Sequence, residues 1–130
     1  MTLRIAGIGT AVPKYSISQA DASEVSKWFC HAADEQLRLI PALYRRSGVS
    51  RRHSVLLEAS DGDPFERQSF YSKVTGENDR GPTTLDRMDI YEREAPPLAL
   101  HAAREAVADA DVDPTSITHV VTVSCTGFHA

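Results

Sequence analysis

Two stretches of this 130-residue chain concentrate the residue types that do chemistry. The first, Tyr44-Arg-Arg-Ser-Gly-Val-Ser-Arg-Arg-His53, sets four arginines in eight positions around a glycine. A guanidinium presents a planar fork of donors that matches phosphate, as in a nucleotide or coenzyme A, so this is a candidate anion site. The same charges suit a solvated helix end, where cations face the negative end of the helix dipole, and the residues alone leave both readings open. The second stretch, Thr118-His-Val-Val-Thr-Val-Ser-Cys-Thr-Gly-Phe-His-Ala130, is an apolar run that enters a polar, glycine-containing turn. In open α/β sheets ligands sit beyond the carboxyl ends of strands, which makes Ser124, Cys125 and Thr126 candidates for lining a site. Hydroxyls in such a turn also serve to satisfy its backbone groups. Cys125 reads equally as a small residue buried at a strand end, since nucleophilic character requires a lowered thiol pKa.

The remaining reactive residues give no constellation. His31, His53, His101, His119 and His129 show no metal-ligand spacing, and only His129 lies beside the candidate turn. Cys30 and Cys125 form neither a C-x-x-C pair nor a disulfide framework, which suits a reducing compartment. A net charge of -4 from 14 basic and 18 acidic residues disfavours an extended nucleic-acid footprint. The N-terminus lacks a signal-peptide core, and no apolar run reaches the roughly 18 residues of a membrane span. The expectation is a cytoplasmic protein with no nucleic-acid partner, no membrane partner and no metal.

These candidates need elements to hold them. Leu3 to Ile8 reads as a core strand ended by Gly9-Thr-Ala-Val-Pro13. Ser18 is an N-cap for a helix over Gln19 to His31, whose apolar face carries Ala22, Val25, Trp28 and Phe29, with Trp28 in the core. A second helix spans Asp34 to Arg46 and holds Pro41, which would kink or split it. A third strand is suggested near Val49 to Leu57. Residues 58–84 are polar and rich in Asp, Gly, Ser and Pro, and read as a surface loop or flexible insert. Helical pattern opens at Thr84 and resumes in the alanine-rich run Leu98 to Ala110; Pro96 and Pro97 either separate two helices or kink one. After Asp111 to Ser116, Ile117 to Ser124 reads as a buried strand.

Taken together, Ala6-Gly-Ile-Gly-Thr-Ala-Val-Pro13, Ser47-Gly-Val-Ser-Arg-Arg-His53, Leu85-Asp-Arg-Met, Ala95-Pro-Pro-Leu-Ala-Leu-His-Ala-Ala103 and Ile117-Thr-His-Val-Val-Thr-Val-Ser-Cys-Thr-Gly-Phe128 carry a family likeness. In order and spacing the chain resembles the start of a bacterial type III polyketide synthase, the chalcone and stilbene synthase family. The likeness covers essentially the whole chain and is weakest over the polar stretch from Glu58 to Thr84.

The resemblance implies an α/β fold, the N-terminal portion of a thiolase-like layered architecture, incomplete in this chain, with residues 1–130 as one N-terminal segment. It implies a homodimer in the complete protein, acting on acyl-coenzyme A and malonyl-coenzyme A by decarboxylative Claisen condensation. Coenzyme A thioesters are then substrates, and no redox cofactor or metal is needed. The family's nucleophilic cysteine, histidine and asparagine fall beyond residue 130, so no residue of this chain is catalytic and the 130-residue chain alone is inactive. Cys125 matches a pocket-lining position, with Ser124 and Thr126 beside it. Ala130 matches the position that precedes the family's Pro-Gly pair and that, in homologues, reaches across the dimer into the partner's cavity. Arg46 matches a basic position at the mouth of the coenzyme A tunnel, with Arg45 beside it and Arg38 about two helical turns earlier. A ketoacyl carrier-protein synthase III-like enzyme and a non-catalytic module that binds a homologous partner are the alternatives.

Overall fold

The computed structural model of the chain describes residue 2, residues 4–29, residues 33–125 and residue 127. It forms two compact units, one of Pro13–Thr83 and one of Met1–Val12 with Thr84–Ala130.

The Pro13–Thr83 unit is built from strand β1 (Ser16–Ser18), helix α1 (Gln19–Ser26), helix α2 (Asp34–Arg46) and strand β2 (Arg51–His53). Ser18 ends β1 and caps α1 at once: its hydroxyl accepts from the Asp21 amide at 3.0 Å, filling one of the donors a helix start leaves open. The strands pair antiparallel, with Ser16 opposite His53, Ile17 opposite Arg52 and Ser18 opposite Arg51. The core is small, with Ile17, Ala22, Val25 and Leu57 buried and Tyr15, Phe29, Tyr44 and Phe65 packed around them.

Three expectations change in this unit. The first helix stops at Ser26, short of His31, and Cys30, His31 and Ala32 lie outside the described residues. Trp28 therefore sits past the helix end. Its indole stacks on Phe65 with ring centroids 3.9 Å apart, beneath the Lys73 ammonium, and it stays 38% exposed rather than entering the core. β1 occupies residues that the apolar pattern did not mark, because a three-residue strand with serine at both ends carries no alternation signal.

Pro41 neither splits nor ends α2. The helix closes at Ser47, whose amide reaches the Leu43 and Tyr44 carbonyls at 3.1 and 3.3 Å. Gly48 follows at φ +70°, the left-handed turn in which a helix commonly terminates and for which glycine has no Cβ penalty. Residues 54–83 hold no helix or strand. Their backbone is tied at Glu58 to the Arg67 carbonyl and at Val74 to the Trp28 carbonyl, both at 2.8 Å.

The other unit is organised by α3, a single 27-residue helix over Thr84–Ala110 that runs through Pro96 and Pro97. The prolines remove two donors, yet the alanine-rich sequence after them has enough helix propensity to continue. Gly7 to Gly9 run beside its C-terminal half, where the Ile8 amide donates to the Asp109 carboxylate at 3.0 Å. Gly7 and Gly9 make this approach possible. A Cβ on Gly7 would stand 2.5 Å from the Ala106 carbonyl oxygen, and one on Gly9 would collide with the backbone at Ala102 and Ala106. A 3-10 turn at Pro114–Ser116 follows, capped by the Asp113 carboxylate on the Thr115 amide at 2.8 Å. Those bonds hold the exposed Asp113 carboxyl below its ordinary pKa.

The two strands expected with most reason, Leu3 to Ile8 and Ile117 to Ser124, form no ladder among the described residues. A strand exists only when a neighbour takes up its amide and carbonyl groups. Val120, Val121 and Val123 are 83%, 85% and 92% exposed, so this segment is unburied, contrary to its composition.

Candidate functional site

The basic segment divides into two pairs. Arg51 and Arg52, on β2, are committed to the fold. Arg51 donates twice to the Ser16 hydroxyl, at 3.2 and 2.9 Å. Arg52 donates to the Gln19 side-chain carbonyl at 2.7 Å and lies 4.9 Å from the Tyr44 ring centroid. Their neighbour His53 places Nδ1 2.8 Å from the Pro13 carbonyl. Arg45 and Arg46, in the last turn of α2, are exposed, and their side chains make no ion pair or hydrogen bond to another described residue. Arg38 is likewise exposed on α2. At ~100° and ~1.5 Å per residue, Arg38 and Arg45 share a helix face about 10 Å apart, and Arg46 points roughly a quarter-turn away.

The helix end is fixed by one side chain. Gln19, the first residue of α1, donates from Nε2 to the Tyr44 carbonyl at 2.8 Å and to the Ser47 hydroxyl at 2.7 Å, and its backbone N–H donates to the Ser50 carbonyl at 2.9 Å. The Ser47 hydroxyl also donates to Tyr44 at 2.8 Å. Carbonyls that a helix terminus leaves open are thereby occupied. Arg45 borders a cleft of about 660 Å³ whose walls include Gln19, Asp21, Glu24, Pro41, Tyr44 and Val49. Both acids in that wall are paired, Asp21 with Arg67 at 3.5 Å and Glu24 with Lys27 at 2.8 Å, and so oppose an anion less than free carboxylates would. Arg38 borders a separate depression of about 400 Å³ with Lys27, Asp34, Leu37 and Pro41.

Two free guanidiniums exceed the roughly half negative charge of the helix terminus they occupy. The end of α2 is therefore a net cationic surface able to take a phosphate. Composition could not separate the two arginine pairs. Gln19, Ser47 and Arg52 were not singled out individually, because their bonds span 25 to 33 positions with no periodic signal.

The strand-end candidates belong to the other unit. Ser124 accepts from the Gly127 amide at 3.3 Å, the turn-satisfying role, and Cys125 is a free, exposed cysteine. Gly127 is buried against the Tyr91 ring of α3, so closely that any Cβ there would overlap the ring. Tyr91 thus anchors the turn that carries Ser124 and Cys125. Thr126, Ala130 and His129 lie outside the described residues. Among the described residues no group of His, Cys, Asp and Glu is arranged to hold a metal ion, and no helix is long and apolar enough to cross a membrane.

In fold, the chain is similar to a fungal type III polyketide synthase, ORAS, with a TM-score of 0.51 and 24% identity over 85% of this chain and 25% of that one. That likeness shows a portion of the thiolase-like α/β fold, present here in part. No protein-family model matches the chain. In sequence it is 30% identical over 118 residues to 1,3,6,8-tetrahydroxynaphthalene synthase of Streptomyces griseus, spanning 91% of this chain and 27% of that protein. It is 27% identical over 128 residues to the alpha-pyrone synthesis polyketide synthase-like Pks18 of Mycobacterium tuberculosis H37Rv, spanning 97% of this chain and 29% of that protein. Over most of its length the chain is similar to type III polyketide synthases. It spans about a quarter of the length of the relatives it matches.

Proposed function

We propose that this chain is part of an acyl-condensing transferase that joins an acyl-coenzyme A starter to malonyl-coenzyme A. The starter is carried on a cysteine outside the chain. Loss of CO2 from the malonyl unit leaves an enolate that attacks the starter thioester, expelling the cysteine thiolate and forming the new carbon–carbon bond. The observation that carries this reading is the likeness to type III polyketide synthases over 91% and 97% of the chain. Arg46, with Arg45 and Arg38, contacts coenzyme A phosphate. None of the three side chains forms an ion pair with a described carboxylate, which supports that role. Ser124, Cys125, Thr126 and Ala130 line the acyl cavity, and residues 58–84 form a surface insert. The complete protein is a cytoplasmic homodimer needing no metal.

The test is a condensation assay with malonyl- and acyl-coenzyme A. The 130-residue chain forms no product. When it is joined to a downstream part bearing the cysteine, histidine and asparagine, product forms, and Arg46→Ala raises KM for the thioesters more than it lowers kcat. Product from the 130-residue chain, or an unchanged KM in the variant, contradicts the reading.

A further inference from the structure

We infer that Gln19 is a positioning residue for the α2 arginines, an inference that rests on the reading of Arg45 and Arg46 as phosphate ligands. A guanidinium delivers affinity only if the backbone beneath it holds still, because its own side chain already loses rotamer freedom on binding. The last turn of α2 is where a helix is least able to hold itself, since its final carbonyls have no partner inside the helix. Pro41 weakens the same half of the helix by removing one donor.

The Gln19 side-chain amide ties that turn to α1 from outside the helix, beside the local bonds that Ser47 makes to the Tyr44 carbonyl. Nε2 holds the Tyr44 carbonyl, immediately before Arg45, and the Ser47 hydroxyl, immediately after Arg46, so the two ligand positions are bracketed by one side chain. Oε1 holds Arg52, whose guanidinium lies near the Tyr44 ring. The amide therefore uses both donor hydrogens and its acceptor, leaving one orientation that satisfies all three partners. Arg52 is thereby kept occupied on β2, and the exposed pair on α2 remains available.

The experiment titrates coenzyme A into the 130-residue chain for wild type, Gln19→Ala, Gln19→Glu and Arg46→Ala, and measures backbone amide exchange at Ser47 without ligand. Gln19→Ala is expected to speed exchange and to weaken coenzyme A binding about fivefold, the scale of one neutral hydrogen bond. Gln19→Glu keeps an acceptor for Arg52 but offers no donor to Tyr44 or Ser47, and is expected to behave like Gln19→Ala. Ser47→Ala removes the hydroxyl that accepts from Gln19 and donates to the Tyr44 carbonyl but leaves the Gln19 bond to Tyr44, and it gives a smaller change in the same direction if Gln19→Ala does not fold. Unaltered affinity in the Gln19 and Ser47 variants, with Arg46→Ala still weakened, overturns the positioning role and leaves the phosphate reading standing. Absence of binding by wild type, or equal binding by Arg46→Ala, overturns the phosphate reading and this inference with it, even where exchange at Ser47 responds to Gln19.

Discussion

The C-terminal end of α2 and the segment from Ile117 to Cys125 were the two places where sequence pointed to chemistry, and the structure treats them in opposite ways. Around α2, polar groups find partners within the Pro13–Thr83 unit, and one glutamine side chain secures the helix end. Along residues 117–125, valines with strand composition stand exposed, and Ser124 and the Gly127–Tyr91 contact order only the turn that follows. A phosphate site can be complete in a short stretch of chain, because arginine forks and a capped helix end are local devices. A strand end cannot, because its geometry is supplied by neighbouring strands.

That contrast can be broken by substitution. The largest effect is expected in the small core beneath α1: Ile17→Ala should cost about 2–4 kcal/mol in chemical denaturation, since truncating a buried Ile loses transfer energy and leaves a cavity. Gly7→Val should cost about 1–3 kcal/mol by overpacking against α3, measured the same way. Gln19→Ala should cost about 0.5–1.5 kcal/mol, the net worth of a hydrogen bond whose partners stay solvated or otherwise paired. Val121→Thr should fall within about 0.5 kcal/mol of wild type, as for surface positions generally. A large loss there would show that the 117–125 segment is packed and would erase the contrast.

The smallest effect is one of pH. Asp79 accepts from the Gly81 and Thr75 amides at 2.9 and 3.0 Å and from the Thr75 hydroxyl at 3.1 Å, and these bonds lower its carboxyl pKa in the folded chain, the Gly81 bond most. A folded pKa below the unfolded one gives stability that is fully present above roughly pH 4 and is lost as pH falls through the lowered value. Because the carboxylate is exposed, the contribution is slight. Asp79→Asn should flatten that part of the stability profile, and an unchanged acid limb would contradict the assignment.

Much of the helical frame was legible in sequence. Ser18 as a cap, α2 ending at Arg46 and the alanine-rich half of α3 each rest on local propensity and capping, which act within a few residues. The strand pattern was legible but misleading, since Ile117 to Ser124 has strand composition without a strand's partners. Of the true ladder, Arg51–His53 lies within the strand suggested near Val49 to Leu57, whereas its partner Ser16–Ser18, about 35 positions away, leaves no alternation to read. The candidate site was half legible: arginine clustering marked the segment, whereas the division into fixed and free pairs depends on Gln19 and Ser16, which composition does not connect to it.

The central claim is that the free pair at the end of α2 binds coenzyme A phosphate. Calorimetric titration of coenzyme A into the 130-residue chain, beside an Arg45→Ala, Arg46→Ala double variant, tests it directly. Measurable binding by wild type that weakens at least about tenfold in the double variant, for two lost charge-assisted contacts, is the predicted result. Equal binding by both, or none by wild type, would contradict it.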